Sequence, residues 1–206
     1  MHAQAKDDTS HDHMRASCVE VPAGQPRPEF GCFKIAVAKA LQLSQPTVYW
    51  HLRTFPTRAA AEAVKSPTGI VVEEDGQVWL SEFGAKNEAP AAGKEVAVIG
   101  PLELLPAKTY EVEMIYAVLR PGDRSKVHIH DGPEAWYIFA GEQCLETING
   151  VSRARAGQSM TAPPRVAMEL SITGTVVRRS LGLVIHDPAE QFSKPSDWTP
   201  TGKCGG

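Results

Sequence analysis

The chain has 206 residues, 42% of them hydrophobic and 22% charged, a length for one large domain or two small ones and a balance close to the soluble globular average. Gly 17 and Pro 16 are too few for a low-complexity or collagen-like chain, and 21 basic against 24 acidic residues leave a net charge of −3, which gives no electrostatic reason to bind nucleic acid or an anionic surface. No apolar run approaches the roughly 20 residues of a spanning helix, so the expected partners are a small-molecule substrate and a second copy of the chain in a homodimer, without nucleic acid or membrane.

Residues 1–28 are polar, have no apolar signal-peptide core, and read as a disordered tail. His-Ala-Gln-Ala after Met1 resembles the small-residue neighbourhood of an export cleavage site, so the expected location is either the cytoplasm or an exported, periplasmic one with the signal peptide absent from this chain. Cys18, Cys32, Cys144 and Cys204 form no C-x-x-C pair, which argues against a zinc ribbon or a thioredoxin-like pair. An exported chain could join Cys32 to Cys18 or to Cys204; a cytosolic one would keep free thiols.

Phe30 to Leu43 fits a helix or an extended run equally. Val48 to Arg53 is aromatic and β-branched, a strand, and Pro56 to Lys65 has the Pro start and the helix formers of the best helix in the chain. Strand-like runs Ile70–Glu74 and Gln77–Phe83 flank Asp75-Gly76, a two-residue hairpin signal, and Ala85 to Gly93 reads as a linker. Residues 29–93 are therefore expected to form an extension of strands and one helix packed on the body, with residues 94–206 forming the main domain. There the runs Glu95–Leu105, Tyr110–Arg120, Lys126–His130, Glu134–Ala140, Glu142–Ile148, Val151–Arg155, Met168–Ile172 and Val176–His186 alternate with turn residues, the rhythm of an all-β sandwich or barrel.

Chemistry concentrates between Gly122 and Gly141. His128 and His130 are two apart on a predicted strand, so their rings share a face, and Asp131-Gly132-Pro133 turns the chain so that Glu134 opens the returning strand opposite them. Two imidazoles and one carboxylate with open positions suit one divalent ion, Fe(II), Mn(II) or Zn(II). By the same parity Trp136 and Ile138 line the face that Glu134 uses. His11-Asp-His13 lies in the tail without a third ligand. His186 falls at a strand end and is expected in a solvated turn. Arg178-Arg179 is expected at the surface, since neighbours on a strand can turn only one side chain inward, where it could clamp an anionic substrate.

Gly122, five residues, His128-x-His130, three residues, Glu134, six residues, Gly141: this spacing resembles the first motif of the cupin superfamily, with all five anchors present. The words YWHLRTFPTRAAAEA, GPEAWYIFAGEQCLET and RRSLGLVIHD are similar to those of a set of bacterial single-domain cupins, a resemblance that names a fold and no reaction. It covers about residues 95–187 and implies a jelly-roll β-barrel with a metal in its mouth. The second motif fits only through Gly157 and Pro163; Arg165 stands at its Gly, Met168 at its fourth ligand His and Ile172 at its Asn. The resemblance thus implies three ligands, His128, His130 and Glu134, with Met168 in the pocket wall or weakly near the metal; His51 either reaches the mouth and replaces the absent His or is an ordinary strand residue beside the aromatic core. Non-haem Fe(II) dioxygenase-like chemistry on a small organic substrate is the favoured expectation; zinc or manganese hydrolase, lyase or isomerase chemistry and a non-catalytic ligand-binding role are the alternatives.

Overall fold

Short β-branched and aromatic runs between turn formers make nearly every element of this chain a strand. The structure is a computed structural model that describes residues 15–16, 18–22, 25–88 and 92–205. His11 and His13 lie outside them. In chain order the elements are β1 (Arg15–Ala16), β2 (Cys18–Glu20), β3 (Gly31–Leu41), β4 (Thr47–Phe55), α1 (Arg58–Glu62), β5 (Ile70–Glu74), β6 (Gln77–Gly84), β7 (Lys94–Glu103) and β8 (Tyr110–Leu119). The second half adds β9 (Arg124–Ser125), β10 (His128–Ile129), β11 (Glu134–Ala140), β12 (Glu142–Thr147), β13 (Gly150–Arg155), β14 (Ser159–Ala162), β15 (Met168–Thr173), β16 (Arg178–His186) and β17 (Lys194–Pro195).

The described strands form three sheets. The middle sheet runs β14-β11-β16-β8-β3-β2, the outer one β5-β6-β4-β7, and the inner one joins β1, β9, β10, β12, β13, β15 and β17. The middle sheet is buried on both faces. From β16, Leu181, Leu183 and Ile185 point outward and pack with Trp50, Leu52 and Trp79 of the outer sheet. Ile115, Ala117, Trp136 and Ile138 point the other way and pack with Leu145, Leu170 and Ile172 of the inner sheet. That double burial explains why the middle of β16, Leu181 to Ile185, is apolar on both faces instead of alternating. Middle and inner sheets together form the barrel-like half, which is not a closed cylinder. On the far face of the outer sheet, α1 sets Ala61 against Phe55, Val71 and Leu80.

Several elements differ from their expected form. The helix is shorter than Pro56–Lys65: Thr57 caps it, its hydroxyl accepting from Ala60 N at 3.2 Å, and the chain leaves at Ser66, whose N donates to Glu82 at 2.9 Å and turns it into β5. Phe30 to Leu43, open between helix and strand, is the extended β3, because β8 offers it a full antiparallel edge. Within the stretch expected as a tail, β2 pairs in parallel with β3 and is tied to it by the Cys18–Cys32 disulfide. A second disulfide, Cys144–Cys204, fastens the C-terminal segment to β12, a pairing absent from the sequence reading. Strands of the two expected parts interleave: β3 lies in the middle sheet, while β7 pairs with β4. At the β5–β6 turn Asp75 and Gly76 both take positive φ (56° and 72°), the left-handed pair that a two-residue hairpin requires. No helix among the described residues is long and apolar enough to cross a membrane.

Candidate metal centre

His128 sits on β10, a two-residue strand between β15 and β17, and His130 follows it with its ring on the same side. The Asp131-Gly132-Pro133 turn then feeds β11, whose first residue is Glu134. Gly132 is required by close approach: a Cβ there would lie 1.7 Å from the Ile185 carbonyl oxygen of β16. Asp131 anchors the turn, accepting from Arg165 Nε at 2.9 Å and pairing with Lys194. Those two cations, Lys194 first, hold its carboxyl below the usual range.

The ligand atoms of His128, His130 and Glu134 lie within 4.8 Å of one another. Each ring is oriented by a backbone carbonyl. His128 Nδ1 lies 2.7 Å from Lys126 O, and His130 Nδ1 is hydrogen-bonded to Phe192 O. A carbonyl can only accept, so Nδ1 carries the proton in both neutral rings and each Nε2 presents a lone pair to the centre. His130 Nε2 and Glu134 Oε2 are buried 3.0 Å apart, an ion pair when the ring is protonated, and neither has any other hydrogen-bond partner. With the ring neutral, these two buried atoms have no other partner, and together with His128 they form a donor set that fits a divalent ion.

Charge divides the two rings. Burial pushes His128 down, with its neighbour His130 adding to the shift and Glu134 opposing it. In His130 burial is again the largest influence, but the Glu134 carboxylate and the Phe192 carbonyl outweigh it and raise the ring.

A cavity of about 290 Å³ opens onto these ligands. Trp136 lines it, lying where Gly182 leaves room: a Cβ on Gly182 would approach Trp136 Cδ1 to 2.9 Å. Ile138 packs in the barrel core and does not line the cavity. Met168, also outside the lining, is the cross-strand partner of His128 and is 1% exposed. His51 is elsewhere: Trp50 and Leu52 face the middle sheet, so His51 turns to the far side of the outer sheet, where Nε2 meets Ala85 O at 2.8 Å. It supplies no fourth ligand. Arg165, at the position of the second motif's Gly, has φ +60°, so the backbone keeps a left-handed form there despite the side chain, and its N donates to His130 O at 2.8 Å.

The hairpin ligands at the mouth, the two sheets behind them and that left-handed turn at residue 165 together decide the architecture. The fold is consistent with an open cupin jelly roll. No family model matches the chain and no curated protein matches it. Among solved structures, the chain is similar to a cupin-like protein from Thermotoga maritima, at 15% identity and TM-score 0.38 over 45% of this chain and 67% of that one. It is similar to an RmlC-like cupin family protein from Methanocaldococcus jannaschii, at 18% identity and TM-score 0.36 over 43% and 81%. It is also similar to the DMSP lyase DddQ from Ruegeria pomeroyi, at 18% identity and TM-score 0.36 over 45% of each chain, so it spans less than half of that lyase.

Two corrections concern the barrel interior. His186 is in β16, 3% exposed, and not in a solvated turn; its Nε2 lies 3.3 Å from Glu113 Oε1. Glu111 completes a second His/Glu group there, but Lys34 Nζ stands 2.5 Å from Glu113 Oε2 and already supplies the cation. Arg178 and Arg179 are not both at the surface: Arg179 pairs with Asp75 outside, whereas Arg178 is buried against the cavity. Parity puts Arg178 with Ser180 and Gly182 on the face of β16 opposite Leu181 and Leu183, but does not by itself tell that this less apolar face enters the barrel.

Proposed function

We propose that this cupin holds one divalent ion on His128, His130 and Glu134 and serves as a metal-dependent enzyme acting on a small organic molecule in the cavity. The supporting observation is the pair of carbonyl-oriented rings whose Nε2 atoms converge with an otherwise unpartnered Glu134 oxygen. Two His and one carboxylate with open positions are the donor set of non-haem Fe(II) oxygen chemistry, so iron is the favoured ion. When bound, such an ion supplies an electrophilic centre with free positions for dioxygen and substrate.

The chain's own residues do the rest. Lys126 and Phe192 carbonyls hold the rings in register, Trp136 and Leu170 exclude water from the cavity wall, and Asp131 with Lys194 and Arg165 fixes the turn joining the ligands. The two disulfides support an exported chain in an oxidising compartment.

Elemental analysis of protein purified without added metal tests this reading. Wild type is expected to carry one equivalent of iron, and the His128→Ala/His130→Ala protein none, with an unchanged circular dichroism spectrum. A full equivalent in the double variant would refute the ligand assignment; zinc in the wild type would replace oxygen chemistry with hydrolase, lyase or isomerase chemistry.

A further inference from the structure

Arg178 is the buried charge that the metal centre leaves unused. It opens β16, is 1% exposed, and lines the same cavity as His128, His130 and Glu134. One terminal nitrogen donates to the Ser180 hydroxyl, a neutral acceptor, and Nε has no hydrogen-bond partner. Among the described residues no carboxylate is within salt-bridge distance of it, and the carboxylate that attracts it from further off is Glu134. Burial pushes the guanidinium down to about 10 against the opposing pull of Glu134, so it is still a cation at neutral pH. Buried cations are ordinarily paired, because desolvation is otherwise uncompensated.

Among the described residues Glu134 attracts the guanidinium without forming an ion pair with it, which leaves a ligand to supply the direct partner. We propose that Arg178 is the anion clamp of the cavity and that the ligand is a small organic carboxylate with a compact apolar body. Its carboxylate meets the guanidinium, whose planar fork suits two oxygens, and its body lies against Ile115, Trp136 and Leu170. The cavity, about 290 Å³, has room for a small metabolite, and its apolar wall favours an organic acid over an inorganic anion. The inference rests on the metal reading for its catalytic meaning: a dication beside Glu134 and Arg178 leaves two positive charges uncompensated, which an anionic ligand answers. The clamp itself is independent of the ion.

Calorimetric titration of the full chain, both manganese-loaded and metal-free, with benzoate, cyclohexanecarboxylate and pentanoate provides the test, with benzamide as the neutral counterpart and inorganic phosphate as the simple anion. Wild type is expected to bind at least one of the carboxylates, at least tenfold more tightly than benzamide or phosphate. Arg178→Met should weaken carboxylate binding at least tenfold in both forms, and Arg178→Lys should retain part of it. Removing an unpaired buried charge should leave the fold intact, which thermal melting checks, and Arg178→Lys provides a second variant that keeps the charge. Equal carboxylate affinity in wild type and Arg178→Met, tighter phosphate than carboxylate, or no binding of any of the three acids would overturn the proposal. Manganese content, measured on the same samples, separates the two readings. A wild type that takes up no manganese refutes the metal centre, while the metal-free titrations still decide the clamp.

Discussion

Two carbonyl oxygens, those of Lys126 and Phe192, decide which nitrogen each histidine offers, and the second comes from a residue 62 positions further along the chain. The ligands themselves were legible in the sequence, because a period of two plus a Gly-Pro turn brings His128, His130 and Glu134 together whatever surrounds them. Arg178 was not. Which of two adjacent arginines enters a barrel depends on which face of β16 meets which core, and here the face of Arg178, Ser180 and Gly182, the less apolar one, is buried as well. Met168 lies between these cases. Its pairing with His128 puts both side chains on one face, so Met168→His is expected to add a fourth ligand and tighten Mn(II) binding, whereas Met168→Leu keeps the volume and should change affinity little. Equal Mn(II) affinities for the two variants would mean that residue 168 does not reach the ion.

Strand boundaries in the barrel half were legible where an alternating run ended in Gly or Asn-Gly, as at Glu134–Ala140 and at the β12–β13 hairpin. The short strands β14 and β17 were not, because each is created by a partner: β14 by the edge of β11, β17 by β10. In the middle sheet, the His186–Glu113–Lys34 group gives a pH dependence whose sign can be worked out. Burial opposes the charged form of His186, but Glu113 outweighs it and raises the ring, so this contribution is full below the unfolded value of 6.5 and lost as pH rises through the raised folded value. Burial likewise opposes the charged Glu113, but His186 and Lys34 hold it down, so its contribution is present above 4.5 and lost as pH falls through the lowered folded value. The pair therefore stabilises most between 4.5 and 6.5. His186→Asn should lower the melting temperature more at about pH 6 than at about pH 8.5, and an equal drop at both would refute the coupling.

At the scale of the whole molecule, one sheet serves as the wall of two hydrophobic cores. The outer sheet cannot leave without exposing Leu181, Leu183 and Ile185, and β3 from the first half of the chain is hydrogen-bonded along β8. A fragment of residues 30–84 would lose both supports and is expected to show no cooperative unfolding by circular dichroism; a sigmoidal melt would show that it folds alone. The same wall also sorts the molecule optically. Trp50 and Trp79 sit in the core on one side of it, and Trp136 lines the cavity on the other. Short-range quenching by a paramagnetic ion or by a chromophoric ligand in the cavity thus falls first on Trp136, while Trp50 and Trp79 remain shielded behind a sheet of backbone. Of the four indoles, Trp136 reads occupancy and Trp50 and Trp79 read the integrity of the scaffold, while Trp198 reports on the C-terminal segment beside Glu146 and Thr201.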